Sequence, residues 1–231
     1  MKKYKHILFD LDHTLWDFEK NSTEALLEVY DHFQLDHHGK FAPIEFVLKF
    51  KEINAYLWDQ YNQNNIGKDH LRNERFKLAL ADLGIPETDV PPDIGEFYLE
   101  RCPVKSHVIP HAFEVLDYLV SRYKLHVITN GFDDVQDIKL TQSNLKDYFD
   151  NIITSEKVGF KKPSREMFVK AIELIDAKSE ECIMVGDNPT TDIQGAINAS
   201  LDVIYFNPDR ITHNLSVTFE IRSLLELKKI L

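Results

Sequence analysis

The chain has 231 residues, 43% hydrophobic and 28% charged, enough for one large domain or for a domain carrying an insert. Its 27 basic and 38 acidic side chains leave a formal charge of −11, which argues against a surface that wraps a nucleic-acid polymer. Two cysteines, Cys102 and Cys182, are too few for a disulfide framework, and no apolar run approaches the length of a membrane span.

Lys2, Lys3 and Lys5 have the look of a secretory leader, but the apolar run behind them covers residues 7–9 alone, so a cytoplasmic location is expected. Ile7-Leu8-Phe9 read as a short buried strand, with Asp10 at its carboxyl end. In open α/β sheets that edge binds ligands. Asp10-Leu11-Asp12-His13-Thr14-Leu15 follows, and two carboxylates spaced by two in a tight turn can divide phosphoryl transfer. One attacks phosphorus and the other handles the proton.

Residues from about 22 to 100 contain no convincing strand but several helix-period stretches, at 25–33, 44–61, 69–83 and 94–101. Asn21 is read as the cap of a helix beginning at Ser22, with Glu24 at its third position. Tyr56, Trp58 and Tyr61 are assigned to the interior of this block. Lys68, Arg72 and Arg75 are assigned to a solvated face, or alternatively to an anionic leaving group. Pro91-Pro92 and Pro103 punctuate the return.

From about residue 106 strands and helices alternate. A helix at 112–123 precedes a strand that ends at Thr129 and runs into Asn130-Gly131. A helix at 134–144, a strand at 151–154 and Lys161-Lys162-Pro163 come next, then a helix at 165–175. The strand beginning at Cys182 runs into Gly186-Asp187, and Asn188 and Pro189 open a helix to 198 that contains Asp192. A strand at 203–206, an edge strand at 218–221 and a last helix complete the chain. Apolar strands separated by amphipathic helices imply an α/β fold with a doubly wound, Rossmann-like parallel sheet. The Thr129 hydroxyl and the N–H groups of Asn130 and Gly131 face the same edge as Asp10, where such donors can hold phosphoryl oxygens.

Taken in order, the segments at Asp10, Thr129, Lys162 and Asp187 resemble the four motifs of the haloacid dehalogenase superfamily of phosphohydrolases. The resemblance covers the first strand and about residues 106–207, and the inserted block resembles the helical cap of one class of that superfamily. It implies a core domain of residues 1–16 and 105–231 and a helical cap domain of residues 17–104. By the same resemblance Asp10 is the nucleophile and forms an aspartyl-phosphate, Asp12 is the acid and base, and Thr129 and Lys162 complete the catalytic set. Lys161 is a rival to Lys162, and the family's Lys-Pro pairing decides for Lys162. Phosphate would be held by Thr129, Asn130, Gly131 and Lys162. Mg2+ would be held by Asp10, Asp187 and the backbone carbonyl of Asp12, with Asp192 supporting them.

The chemistry is consistent with those roles. A carboxylate attacks a dianionic phosphate only after a cation neutralises it, and magnesium takes one or two carboxylates plus a phosphate oxygen. Asp12 must be protonated while Asp10 is ionised, so their pKa values must be pushed apart. Asp12 also distinguishes the chain from the dehalogenases of the superfamily, whose pattern has no acid there. One departure from the family is His13, where glycine is usual; it implies an altered backbone tolerance or a contact with substrate or cap. Trp16 and Phe18 are read as stacking on a base or sugar, or as packing between cap and core.

The run from Phe9 to Phe18 is similar to the branch containing 5′-nucleotidases that act on pyrimidine nucleoside monophosphates. The expected partner is therefore a small phosphorylated metabolite, a nucleoside monophosphate, met by His13, Trp16, Phe18, Asn21 and Arg75, in a monomer or homodimer. Phosphoglycolate-type and sugar-phosphate phosphatases and phosphomutases stay open, as does a receiver-like phosphorylated switch. A receiver carries its acceptor aspartate after the third strand of a shorter chain. A nucleotide-triphosphate motor is excluded by the lack of a G-x-x-x-x-G-K-[ST] loop.

Overall fold

A computed structural model describes residues 4–231; Lys2 and Lys3 of the leader-like start lie outside the described residues. The chain divides into two compact units, one of residues up to Phe18 together with Ser106–Leu231, the other Glu19–Lys105.

The first unit is built on a six-stranded sheet. Its strands are β1 (His6–Phe9), β2 (Lys124–Thr129), β3 (Asn151–Thr154), β4 (Cys182–Gly186), β5 (Asp202–Phe206) and β6 (Phe219–Ile221). Their spatial order is β3-β2-β1-β4-β5-β6 and every pairing is parallel. Chain direction across the sheet reverses between β1 and β4, which opens a crevice at their carboxyl ends. Phe9 pairs with Val127 on one side and Val185 on the other, so Asp10 leaves the sheet level with the ends of both neighbours. All four residues of β1 are buried, as a strand covered on both faces requires. Cys182 lies fully buried in β4, as its apolar context suggests.

The second unit is helical throughout its regular structure. It holds most of α1 (Phe18–His32), then α2 (Pro43–Asn62), α3 (Lys68–Asp82) and α4 (Ile94–Arg101). Phe46 and Phe50 of α2, Phe76 of α3 and Tyr98 of α4 form its aromatic interior, with ring centroids 4.6–6.5 Å apart. α1 begins at Phe18, before the expected start, so Asn21 and Ser22 lie inside its first turns and are fully buried. The expected Asn21 cap does not form. Arg75 is 5% exposed, not on a solvated face, and its guanidinium stands 4.8 Å from the centre of the Tyr98 ring. Of the expected interior aromatics Tyr61 is buried and Trp58 half-buried, but Tyr56 is 58% exposed.

The remaining helices of the first unit are α5 (Ala112–Val120), α6 (Asp133–Gln142), α7 (Ser155–Val158), α8 (Arg165–Leu174), α9 (Gly195–Asn198) and α10 (Leu227–Ile230). The expected single helix at 189–198 is instead a π-helical turn, Pro189–Gln194, running into α9. Asn188 caps this turn as expected, its Oδ1 accepting the Thr190 and Thr191 N–H groups. No helix among the described residues is long and apolar enough to cross a membrane.

Candidate active site

Asp10 is the first residue beyond β1, and its N–H still donates to Val185 O at 2.9 Å. The sheet therefore fixes its backbone while its side chain turns out at the carboxyl edge. Lys162 reaches it from the loop between α7 and α8. The buried ammonium donates to Asp10 Oδ1 at 2.5 Å, Asp192 Oδ1 at 2.7 Å and Ile128 O at 2.9 Å. Asn130 fixes the backbone that carries Lys162: its Nδ2 donates to Lys162 O and its Oδ1 accepts Lys162 N–H, both at 2.8 Å. These three acceptors commit the Lys162 ammonium fully, which separates it from half-buried Lys161.

Asp187 follows β4 and accepts the Thr14 hydroxyl at 2.8 Å. Thr14 is fully buried, so the loop after β1 and the turn after β4 are tied by one interior bond. Asp192 returns along the π-helical turn, its Oδ2 accepting Asn188 N–H at 3.0 Å. A Cβ on Gly186 would stand 2.5 Å from Asp192 Oδ2 and 2.7 Å from its Cβ, so the absence of a side chain at 186 admits Asp192 to the site.

One carboxylate oxygen each of Asp10, Asp187 and Asp192 lie within 4.8 Å of one another. Two buried acids, Asp10 and Asp192, and the half-buried Asp187 surround a single buried lysine. Burial raises the Asp10 pKa well above the carboxylate range despite Lys162, with Asp192 and Asp187 adding to the rise. Asp187 is pushed up to about 7 by burial and by Asp192, against the opposing Thr14 bond. Hard oxygen donors with this surplus of negative charge fit a hard divalent cation. Asp192, expected as a support, is itself a member of the cluster.

The second acid sits in different surroundings. Asp12 accepts Lys139 Nζ at 2.6 Å on Oδ1 and Gln136 Nε2 at 2.9 Å on Oδ2. Both donors come from α6, three residues apart and so on one face. Burial favours the neutral carboxyl, but Lys139 outweighs it, helped by Gln136 and His13, and the Asp12 pKa is lowered. The pKa order expected of the pair, Asp12 above Asp10, is thus reversed in the metal-free protein. The reason is that Asp10 shares its one lysine with other buried acids while Asp12 has a lysine of its own.

Gln136 Nε2 also donates to Thr129 Oγ1 at 3.0 Å, and Gly131 N–H donates to the same oxygen at 3.0 Å. With both acceptor positions taken, the Thr129 hydroxyl keeps its proton for an incoming oxygen. Gly131, expected to offer its N–H to phosphate, spends it on Thr129. Its lack of a side chain has a packing cause, since a Cβ there would fall 1.6 Å from Gln136 Nε2.

The outer residues depart further from expectation. His13 holds a left-handed backbone, φ 65°, with its ring centre 4.9 Å from that of Phe18. The turn thus keeps the conformation in which glycine is unstrained, with a side chain added. Trp16 is fully buried and Lys139 Nζ stands 4.4 Å from its ring centre, so it is not a platform for a base. Phe18 stays half-buried. Asn21 and Arg75 belong to the helical unit and contribute to its interior. Thr14, Gln136 and Lys139 had no role in the sequence reading. A signal for the latter two lies in α6, where they join Leu140 as buried residues just after the Thr129 loop.

A family model described as haloacid dehalogenase-like hydrolase matches residues 4–200. YfnB of Bacillus subtilis, named as a HAD-hydrolase, is 32% identical over all of this chain and 97% of its own length. Its crystal structure, bound to magnesium, superposes with a TM-score of 0.88 over 99% of both chains at 30% identity. The pyrimidine 5′-nucleotidase PynA of Streptococcus pneumoniae is 32% identical, over 97% of this chain and 93% of that one. The pyrimidine 5′-nucleotidase YjjG of Escherichia coli is 29% identical, over 99% and 98%.

Proposed function

The chain belongs to the haloacid dehalogenase-like hydrolase family, and from that premise we propose that it is a magnesium-dependent phosphatase of nucleoside monophosphates, pyrimidine nucleotides first, acting through an aspartyl-phosphate on Asp10. The observation that carries the reaction class is the Asp10–Lys162 contact within a buried acid cluster at the carboxyl edge of a parallel sheet. The near full-length similarity to two pyrimidine 5′-nucleotidases supports the substrate.

In the first half-reaction an Asp10 oxygen bonds to phosphorus and the ester P–O bond breaks. Asp12 gives the leaving oxygen a proton, so a free nucleoside departs and Asp12 becomes a carboxylate. In the second, Asp12 takes a proton from water, the water oxygen attacks phosphorus, and the bond to Asp10 breaks. Inorganic phosphate leaves, with Asp10 ionised and Asp12 protonated again. Lys162 and the Thr129 hydroxyl stabilise the charge on the phosphoryl oxygens through both halves. Asp10, Asp187 and the Asp12 carbonyl would hold Mg2+, with Asp192 beside them; the bound ion supplies the charge neutralisation that three clustered acids and one lysine lack.

Phosphate release with magnesium from pyrimidine and purine nucleoside monophosphates, phosphoglycolate and sugar phosphates tests the reading, with Asp10→Asn as the blank. The highest kcat/KM is expected on pyrimidine nucleotides. Preference for another ester would overturn the substrate and keep the mechanism; no release from any of them would overturn the phosphatase reading.

A further inference from the structure

We infer that Gln136 and Lys139 are positioning residues that together orient the Asp12 carboxyl for proton transfer and couple it to the phosphoryl-binding hydroxyl of Thr129. The inference rests on the phosphatase reading above and assigns to α6 a part in it.

The clamp is built from the interior. Lys139 is 5% exposed and Gln136 1%, so neither is a solvated helix residue that happens to touch an acid. Their two nitrogens divide the carboxylate, Lys139 Nζ on Oδ1 and Gln136 Nε2 on Oδ2, which fixes both the position and the plane of the group. A single donor would leave the plane free to rotate.

Lys139 is itself held from other sides. Its ammonium stands 4.4 Å from the centre of the Trp16 ring and 5.7 Å from that of Phe18. Its backbone carbonyl accepts the Ser143 hydroxyl at 2.6 Å. The buried Trp16, two residues before α1, therefore acts as a floor under the lysine and not as a substrate platform. Asp12 and Trp16 are also joined by a backbone bridge, so the acid and the floor of its clamp move as one piece.

Gln136 makes the link to phosphate. The same Nε2 that holds Asp12 donates to Thr129 Oγ1, and its approach requires the bare Gly131. Its Oε1 is buried with no hydrogen-bond partner, so the amide orientation is fixed by the two acceptors alone. Displacing Gln136 thus disturbs the acid and the phosphoryl donor together, whereas displacing Lys139 disturbs the acid.

A positioning role predicts a loss that depends on how much the leaving group needs a proton. The test measures leaving-group release in a single turnover, with magnesium, from a nucleoside monophosphate and from 4-nitrophenyl phosphate, whose phenolate leaves without help. Lys139→Met keeps the aliphatic stem on Trp16 and removes the charge. It is expected to slow nucleoside release about 100-fold, the scale of a misplaced catalytic group, with KM nearly unchanged and 4-nitrophenol release slowed only a few-fold. In an Asp12→Asn background Lys139→Met should cost almost nothing more, and Lys139→Arg should restore part of the loss. Gln136→Met should slow both esters, because it also strips Thr129 of a partner. If Lys139→Met does not fold, the leaving-group dependence of Lys139→Arg, and its loss in the Asp12→Asn background, decide the matter. Equal slowing of both esters by the Lys139 variant, or full additivity with Asp12→Asn, would overturn the inference. Release that persists in Asp10→Asn would instead overturn the assignment of Asp10 as nucleophile on which the inference rests.

Discussion

Lys162 and Asp10, 152 positions apart in the chain, meet at 2.5 Å in the interior of the carboxyl edge, and the same ammonium lies 2.7 Å from Asp192. Burial lowers a lysine pKa, yet Asp10 and Asp192 outweigh it and the Lys162 pKa is raised. One cation therefore serves Asp10 and Asp192, and its removal should leave two buried acids without a counter-charge. Lys162→Met is predicted to abolish phosphate release and to destabilise the magnesium-free protein by about 3 kcal/mol, the scale for breaking a buried ion pair. Urea unfolding of the variant with and without Mg2+ checks this; unchanged stability would mean the acids are protonated in the folded protein.

The acid cluster should make stability without metal fall with rising pH. Asp187 is raised to about 7 in the folded state, so the folded protein binds a proton there that the unfolded chain has already lost above about 4. Its contribution is complete below the unfolded value and is lost as pH rises through 7. The stabilisation by added Mg2+ should therefore grow from pH 5 to 8, with proton release on binding visible by calorimetry in buffers of different ionisation enthalpy. Asp187→Asn should flatten both trends, and a magnesium effect independent of pH would contradict them.

A second titrating pair lies at the opposite end of the strands. His6 Nδ1 and His126 Nε2 are 3.1 Å apart, and Asn151 Nδ2 stands 3.1 Å from His126 Nδ1. With the amide donating, the shared proton sits on His126 Nε2 and both rings are neutral. Burial and His6 hold His126 down to about 4, so the unfolded chain takes up a proton near pH 6.5 that the folded one refuses. Stability should be full above 6.5 and fall as pH drops toward 4. His126→Gln is expected to flatten this limb in urea titrations at pH 4.5 to 7; an unchanged limb would assign it to other groups.

Much of this was legible in the sequence. The strands and the motif residues Asp10, Thr129, Lys162 and Asp187 stood out because apolar runs ending in polar turns mark the carboxyl edge directly. Gln136, Lys139 and Thr14 did not, because a polar residue inside a helix or turn reads as solvated until its burial is seen. The start of α1 departs from expectation for the same reason, and of the two readings open for Trp16 packing prevails over stacking: long-range packing, not local pattern, decides where the aromatic face turns and where the helix begins. The reversed order of the Asp10 and Asp12 pKa values depends on which acid owns a lysine, and that is a fact of three dimensions.

Two glycines should report on the packing that admits functional side chains. Gly131→Ala would put a methyl 1.6 Å from Gln136 Nε2, and Gly186→Ala one 2.7 Å from the Asp192 Cβ. Gly131→Ala is predicted to lower kcat at least 10-fold by displacing Gln136, with a modest loss of melting temperature. Gly186→Ala should weaken magnesium binding as well. Near-wild-type kinetics in Gly131→Ala would show that Gln136 can move without cost.

The most direct test of the central claim is acid quench of the enzyme within one turnover of a nucleoside monophosphate carrying labelled phosphate. Label bound to the wild-type protein, recovered on the peptide containing Asp10, and none on Asp10→Asn is the expected result. Steady phosphate release from wild type with no protein-bound label at any time would mean that water attacks the ester directly, and would contradict Asp10 as the nucleophile.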